Sequence, residues 1–392
     1  YHVRHTALPA PGSEDQLRNL VGRVMSQRLD RRKPLWELWV IEGLSDDRWV
    51  LLSKVHHALI NAVVGSDILT LMLDRATESD RPAAPVWNPA VEPSDLALAV
   101  HATRDLVTDP VEQYRVVREA VRKVSRVRDQ AAASASRLSA LAPPDRGAGS
   151  LTGRLGPHRR WTDLRVSMDE VTAVSAGLGG SVNDVILASV ALGLRALLLQ
   201  RGETVERRSV STFVPMSMHS GVVGGVPDNT VSSSFTDLPV GVEDAAETLR
   251  LITRQSADLE DSNEAVAGEV LTPISGFAPP LLLSLGMRAA TRAAGELEGA
   301  QTIATCVPGP SHTLYLLGRP LRRAHPYAPL RGNMRITVAA FSYAGGLHFG
   351  ITGDYDTTAD LDVLAEGIID GLTRLREAAG AALEASSSPA VS

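Results

Sequence analysis

The sequence contains a single cysteine, Cys306, so no internal disulfide can form, and a reducing compartment is expected. No run reaches the ~20 consecutive apolar residues that a membrane-spanning helix needs. Residues 185–194 are followed by Arg195, and 276–287 are short and carry Pro279-Pro280. No Cys/His cluster has zinc-ligand spacing. There is no GxGxxG and no P-loop, which disfavours nucleotide-binding folds. Positive charge is not in excess: the formal net charge is -6, which argues against a general nucleic-acid binder.

What is present is a chain of 392 residues, 44% of them hydrophobic, enough for a large core and for roughly two or three domains. It begins at Tyr1, with no methionine and no signal-like leader, which points to a fragment of a longer protein. Residues 13–29 read as a helix. Ser13 and Gln16 fit a capping box, and Leu17, Leu20, Val21, Val24 and Met25 share one face. Strands are expected at 37–42 and 49–57, and a helix at 66–73. A Pro-rich linker follows at 81–94, then helical sequence at 96–141 and a loose basic stretch to 160. A second half begins at Trp161, with strands at 164–167, 209–217, 302–307, 334–343 and 347–352. Its helices are expected at 169–178, 185–200, 242–259 and 359–379, before a disordered tail at 381–392. The expected parts are therefore 1–80, 81–160 and 161–380. Strands and helices do not alternate strictly, so the expected class is α/β with a mixed sheet.

The most informative local feature is His56-His57, at the end of the expected strand 49–57. Alternation puts Trp49, Leu51, Ser53, Val55 and His57 on the more apolar face, and Val50, Leu52, Lys54 and His56 on the other. An imidazole titrates near neutrality and can take a proton from an alcohol. A satisfied structural pair is the other reading. Two further segments also stay open. Residues 276–287 can rest on a membrane surface or form a buried loop and helix start. Arg154, Arg159 and Arg160 can meet phosphates or belong to a solvated linker.

Several motifs occur in order: Pro34-Leu35-Trp36-Glu37, His56-His57-Ala58-Leu59-Ile60-Asn61-Ala62, Ser181-Val182-Asn183-Asp184-Val185, Val214-Pro215-Met216-Ser217, Val307-Pro308-Gly309-Pro310 and Ser342-Tyr343. In this order the chain resembles the bacterial wax ester synthase/acyl-CoA:diacylglycerol acyltransferase family, in its actinobacterial triacylglycerol synthase branch. The resemblance runs from Tyr1 to the last helix and lacks the family's usual portion ahead of Tyr1. It implies a two-lobed fold like chloramphenicol acetyltransferase, with mixed sheets and a central tunnel.

The resemblance also implies acyl transfer from acyl-CoA to diacylglycerol or a long-chain alcohol, with acyl-CoA as substrate and no cofactor. The family's HHxxxDG motif maps onto His56, His57, Asn61 and Ala62, and its general base onto His57. Asn61 and Ala62 replace the motif Asp and Gly. Asn61 keeps hydrogen-bonding capacity but carries no charge. A non-catalytic acyl-CoA- or lipid-binding paralogue is the rival. A peptide-condensation-type domain is the third reading.

Asn183 and Asp184 have two readings: Ser181 and Asp184 fit a capping box, while the family's Asn-Asp motif lies near the site. Pro34, Leu35 and Trp36 are expected to be a packing element, and Cys306 a buried inert thiol. Cytoplasmic placement is expected, with peripheral contact at the inner face of the plasma membrane or at a lipid-droplet surface.

Overall fold

The computed structural model describes residues 1–56, 72–78, 149–217, 231–261 and 300–387, with a few isolated positions between 79 and 148. Two sheets carry the architecture. In the first, β1 (Val3–Ala7) pairs in parallel with β2 (Trp36–Leu44), which pairs antiparallel with β3 (Arg48–Val55). The parallel pair needs a crossover, and α1 (Glu14–Ser26) supplies it. The Ser13/Gln16 capping box is present, and Leu17, Leu20, Val21 and Val24 are buried against Leu8, Ile41, Leu44 and Trp161.

The second sheet has six strands in the order β4-β11-β10-β7-β5-β6. These are β4 (Arg159–Ser167), β5 (Val210–Ser217), β6 (Val231–Leu238), β7 (Thr302–Val307), β10 (Ile336–Tyr343) and β11 (Gly346–Asp354). β10, β7 and β5 run parallel, while β4, β11 and β6 are antiparallel to their neighbours, so the sheet is mixed. A two-stranded ribbon, β8 (Tyr315–Leu316) and β9 (Arg319–Pro320), lies apart. The β10–β11 hairpin turns through Ala344 and Gly345, both at positive φ (44° and 76°), the conformation a two-residue primed turn requires.

One face of this sheet is covered by α2 (Met168–Leu178), α3 (Val182–Gln200), α4 (Ala245–Asp261) and α5 (Leu361–Ser387). Val185, Leu194 and Leu197 of α3 meet Ile336, Val338, Phe349 and Ile351 of the strands and Leu364 and Ile368 of α5. α3 is long and apolar enough to cross a bilayer, yet most of it is buried in this core. α1 and the first sheet dock at the β4 edge, where the Arg159 amide donates to Ser26 Oγ (2.8 Å) and Arg18 Nε to Asp163 Oδ1 (2.9 Å).

The sequence expectations need several corrections. The strand expected at 49–57 ends at Val55, although the His56 amide still donates to the Leu35 carbonyl (2.9 Å). Its core-facing side is the one with Val50, Leu52 and Lys54, not the one with Leu51 and Ser53. Lys54 makes this possible by burying its aliphatic stem and donating from Nζ to the Val24 and Gln27 carbonyls at the end of α1. β4 starts at Arg159 rather than 164, because its whole length pairs with β11. α5 continues to Ser387 instead of giving way to a tail at 381, since the Ala- and Glu-containing run there favours helix. Finally, β1, β6 and the β8–β9 ribbon lack an alternating apolar pattern strong enough to be read. The segments 81–87, 101–141 and 276–287, and nearly all of the expected helix at 66–73, lie outside the described residues.

Candidate active site

β2 and β3 bring Leu35-Trp36 opposite Val55 and His56. Trp36 faces Val55 and Glu37 faces Lys54 in register, and the Leu35 carbonyl holds the His56 amide. The Trp36 ring stacks on His2 (4.6 Å between centroids), and its carbonyl oxygen lies 2.8 Å from His2 Nδ1. Buried Glu37 accepts from Arg4 (3.0 Å) and from Trp39 Nε1 (3.1 Å). Desolvation pulls Lys54 below its ordinary value, opposed by the charge of Glu37. The motif is therefore a scaffold under the end of β3. His56 is half-buried; His57, Asn61 and Ala62 lie outside the described residues.

That strand end opens into a cavity of about 2040 Å³. Among the described residues its wall includes Leu17, Val21 and Met25 of α1, all of β3, His56, and Met72 and Leu73. Trp161, Asp163, Val307, Phe341 and residues 319–327 close the far side. Exposed Arg28, Arg31, Asp46, Asp47 and Arg319 stand at its rim, so it opens to solvent. The wall is largely apolar, which suits a lipid chain, with polar groups concentrated at the rim and at one buried cluster.

The sequence reading missed that cluster. His325 Nδ1 lies 3.5 Å from Asp163 Oδ2, whose other oxygen takes the Arg18 guanidinium. His325 meets Trp161 and His348 edge-on, with centroids 6.1 Å and 4.9 Å apart. Burial lowers the pKa of His325. It takes His348 down to about 4, helped by the neighbouring His325, Arg165 and Arg323. His348 is therefore neutral at pH 7. The residues come from α1, β4, β11 and the 321–330 segment, so no local motif could reveal them.

Asn183 and Asp184 do not line the cavity. They sit at the start of α3, where buried Asp184 accepts from the Ser181 amide (2.8 Å), Ser181 Oγ (2.8 Å) and Ser256 Oγ (2.6 Å). Asp184 thus completes the capping box of Ser181 at the start of α3 and ties it to α4. Cys306 packs against the helix-side core, and burial raises its thiol to about 11. Of the basic stretch, Arg159 reaches the cavity wall, while Arg160 lies over the Tyr355 ring (4.0 Å).

Comparison with known proteins places this geometry. Residues 1–186 match the wax ester synthase/diacylglycerol acyltransferase catalytic domain, and residues 228–376 match the C-terminal domain of the same proteins. A Mycobacterium tuberculosis protein named "Probable diacyglycerol O-acyltransferase tgs1" is 34% identical over 95% of this chain and 78% of its own length. The wax ester synthase/diacylglycerol acyltransferase from Marinobacter aquaeolei VT8 has the same fold. It gives a TM-score of 0.67 at 22% identity, over 97% of this chain and 80% of that one. With two domain matches spanning most of its length, the chain belongs to the wax ester synthase/diacylglycerol acyltransferase family of acyltransferases.

Proposed function

We propose that the protein transfers a fatty acyl group directly from acyl-CoA to diacylglycerol or a long-chain alcohol, with His57 as general base. The observation that carries this reading is the apolar cavity that begins at His56, at the end of β3. The acceptor hydroxyl attacks the thioester carbonyl while the imidazole takes its proton. The tetrahedral oxyanion collapses, the C–S bond breaks, and the imidazolium returns the proton to the departing CoA thiolate. No covalent acyl-enzyme is required. Cys306, protonated at neutral pH and directed to the core, does not favour one through its sulfur.

An apolar wall also keeps water from competing with the lipid alcohol. In this reading acyl-CoA is a substrate and no cofactor takes part. The protein works in the cytoplasm, touching the plasma membrane or a lipid droplet where its acceptor resides.

Labelled palmitoyl-CoA given to the purified protein with diacylglycerol, and separately with hexadecanol, tests the reading. Labelled triacylglycerol or wax ester is expected, with no label left on protein when the acceptor is omitted. Palmitoyl-CoA that binds but yields no product with either acceptor would identify a non-catalytic lipid-binding paralogue instead.

A further inference from the structure

The segment between α1 and β2 carries an excess of positive charge. Residues 28–33 hold Arg28, Arg31, Arg32 and Lys33 against one carboxylate, Asp30. Arg32 takes that carboxylate (3.4 Å), and the Lys33 ammonium lies over the Tyr1 ring (3.3 Å). Arg28 and Arg31 make no hydrogen bond or ion pair among the described residues, and both are exposed and line the cavity rim. The backbone is tied at both flanks of the segment. Lys54 Nζ grips the Gln27 carbonyl at its start, and the Leu35 carbonyl grips the His56 amide just past its end. Two exposed guanidinium groups, without an ion-pair partner among the described residues, thus line the same cavity as the end of β3, where it meets water.

We propose that Arg28 and Arg31 receive the phosphate groups of the acyl-CoA, so that its thioester reaches inward past His56 while its acyl chain follows the apolar wall. This assignment rests on the acyl-transfer reading above. A guanidinium is suited to phosphate because its planar donor fork matches the phosphate oxygens. The ligand class follows from the juxtaposition: an apolar chain needs the wall, a polyanionic head needs the rim, and acyl-CoA has both. An anionic lipid headgroup offers the same phosphate chemistry, and the test separates the two.

The Arg28→Glu/Arg31→Glu double variant is compared with wild type on two donors: palmitoyl-CoA, and a palmitoyl thioester of N-acetylcysteamine, which has no phosphate. The charge reversal should lower kcat/KM for palmitoyl-CoA at least about tenfold, mostly through KM, and leave the phosphate-free donor unchanged (tenfold is about 1.4 kcal/mol). Raising salt should weaken wild-type use of palmitoyl-CoA more than that of the variant. Arg254→Glu, an exposed change on α4, should alter neither donor.

Equal losses on both donors would show that the segment merely supports the site, and would overturn the assignment. Unchanged use of both donors would overturn it too. If binding to phosphatidylglycerol vesicles were lost at the same time, the arginines would belong to a lipid surface. Should wild type turn over neither donor, acyl transfer itself fails. Calorimetric binding of CoA, weakened by the double variant or not, then still decides where the phosphates sit.

Discussion

Acid should loosen the cavity wall through His348. This ring is about 1% exposed and faces His325, with Arg165 and Arg323 near it and the charge of Asp163 opposing them. Folded, it takes a proton only near pH 4; unfolded, it does so near the ordinary imidazole value of about 6.5. Between these values the unfolded chain binds more protons, so stability falls as pH falls. Integrated from pH 7.5 to 4.5, His348 accounts for on the order of 2–3 kcal/mol, and His325 is shifted in the same direction.

Carboxylates elsewhere also destabilise the fold in acid, so the informative quantity is the difference from His348→Gln, which keeps a neutral polar side chain. Thermal unfolding at pH 7.5 and 4.5 should show the variant losing less stability than wild type, by about 3 °C in Tm. Identical losses in the two proteins would mean that the ring is not held neutral by its surroundings, and the argument would be refuted.

Gly350→Ala should be poorly tolerated. An added Cβ meets the Pro326 carbonyl oxygen at 1.8 Å, so the wall segment must shift, at a cost of about 2 kcal/mol or more that calorimetry will show. Asp184→Ala removes the side-chain half of the α3 capping box and the Ser256 link, and should destabilise by about 1–3 kcal/mol, read from the melting temperature. Asn61→Asp restores the charge that the family motif carries and should raise the melting temperature or turnover; no change in either would make the departure immaterial.

Elements with a local signature were legible in the sequence. The Ser13/Gln16 and Ser181/Asp184 pairs marked two helix starts, and Ala344-Gly345-Gly346 marked the hairpin. β6 was not legible: in V-S-S-S-F-T-D-L the residues are mostly polar, and the strand exists because β5 offers it hydrogen bonds. The core-facing side of β3 was misjudged because Lys54 looks like a solvent residue, and only the carbonyls ending α1 explain its burial. At the cavity, His56 and the Leu35-Trp36 segment paired with the end of β3 could be found by motif. The Arg18–Asp163–His325–His348 cluster could not, since those side chains meet only through tertiary packing.

The account stands on one imidazole taking the acceptor's proton, and turnover by His57→Ala measures that most directly. With palmitoyl-CoA and diacylglycerol, kcat should drop by about 10²-fold or more while CoA affinity and melting temperature stay near wild type. A variant that makes triacylglycerol at the wild-type rate would contradict it.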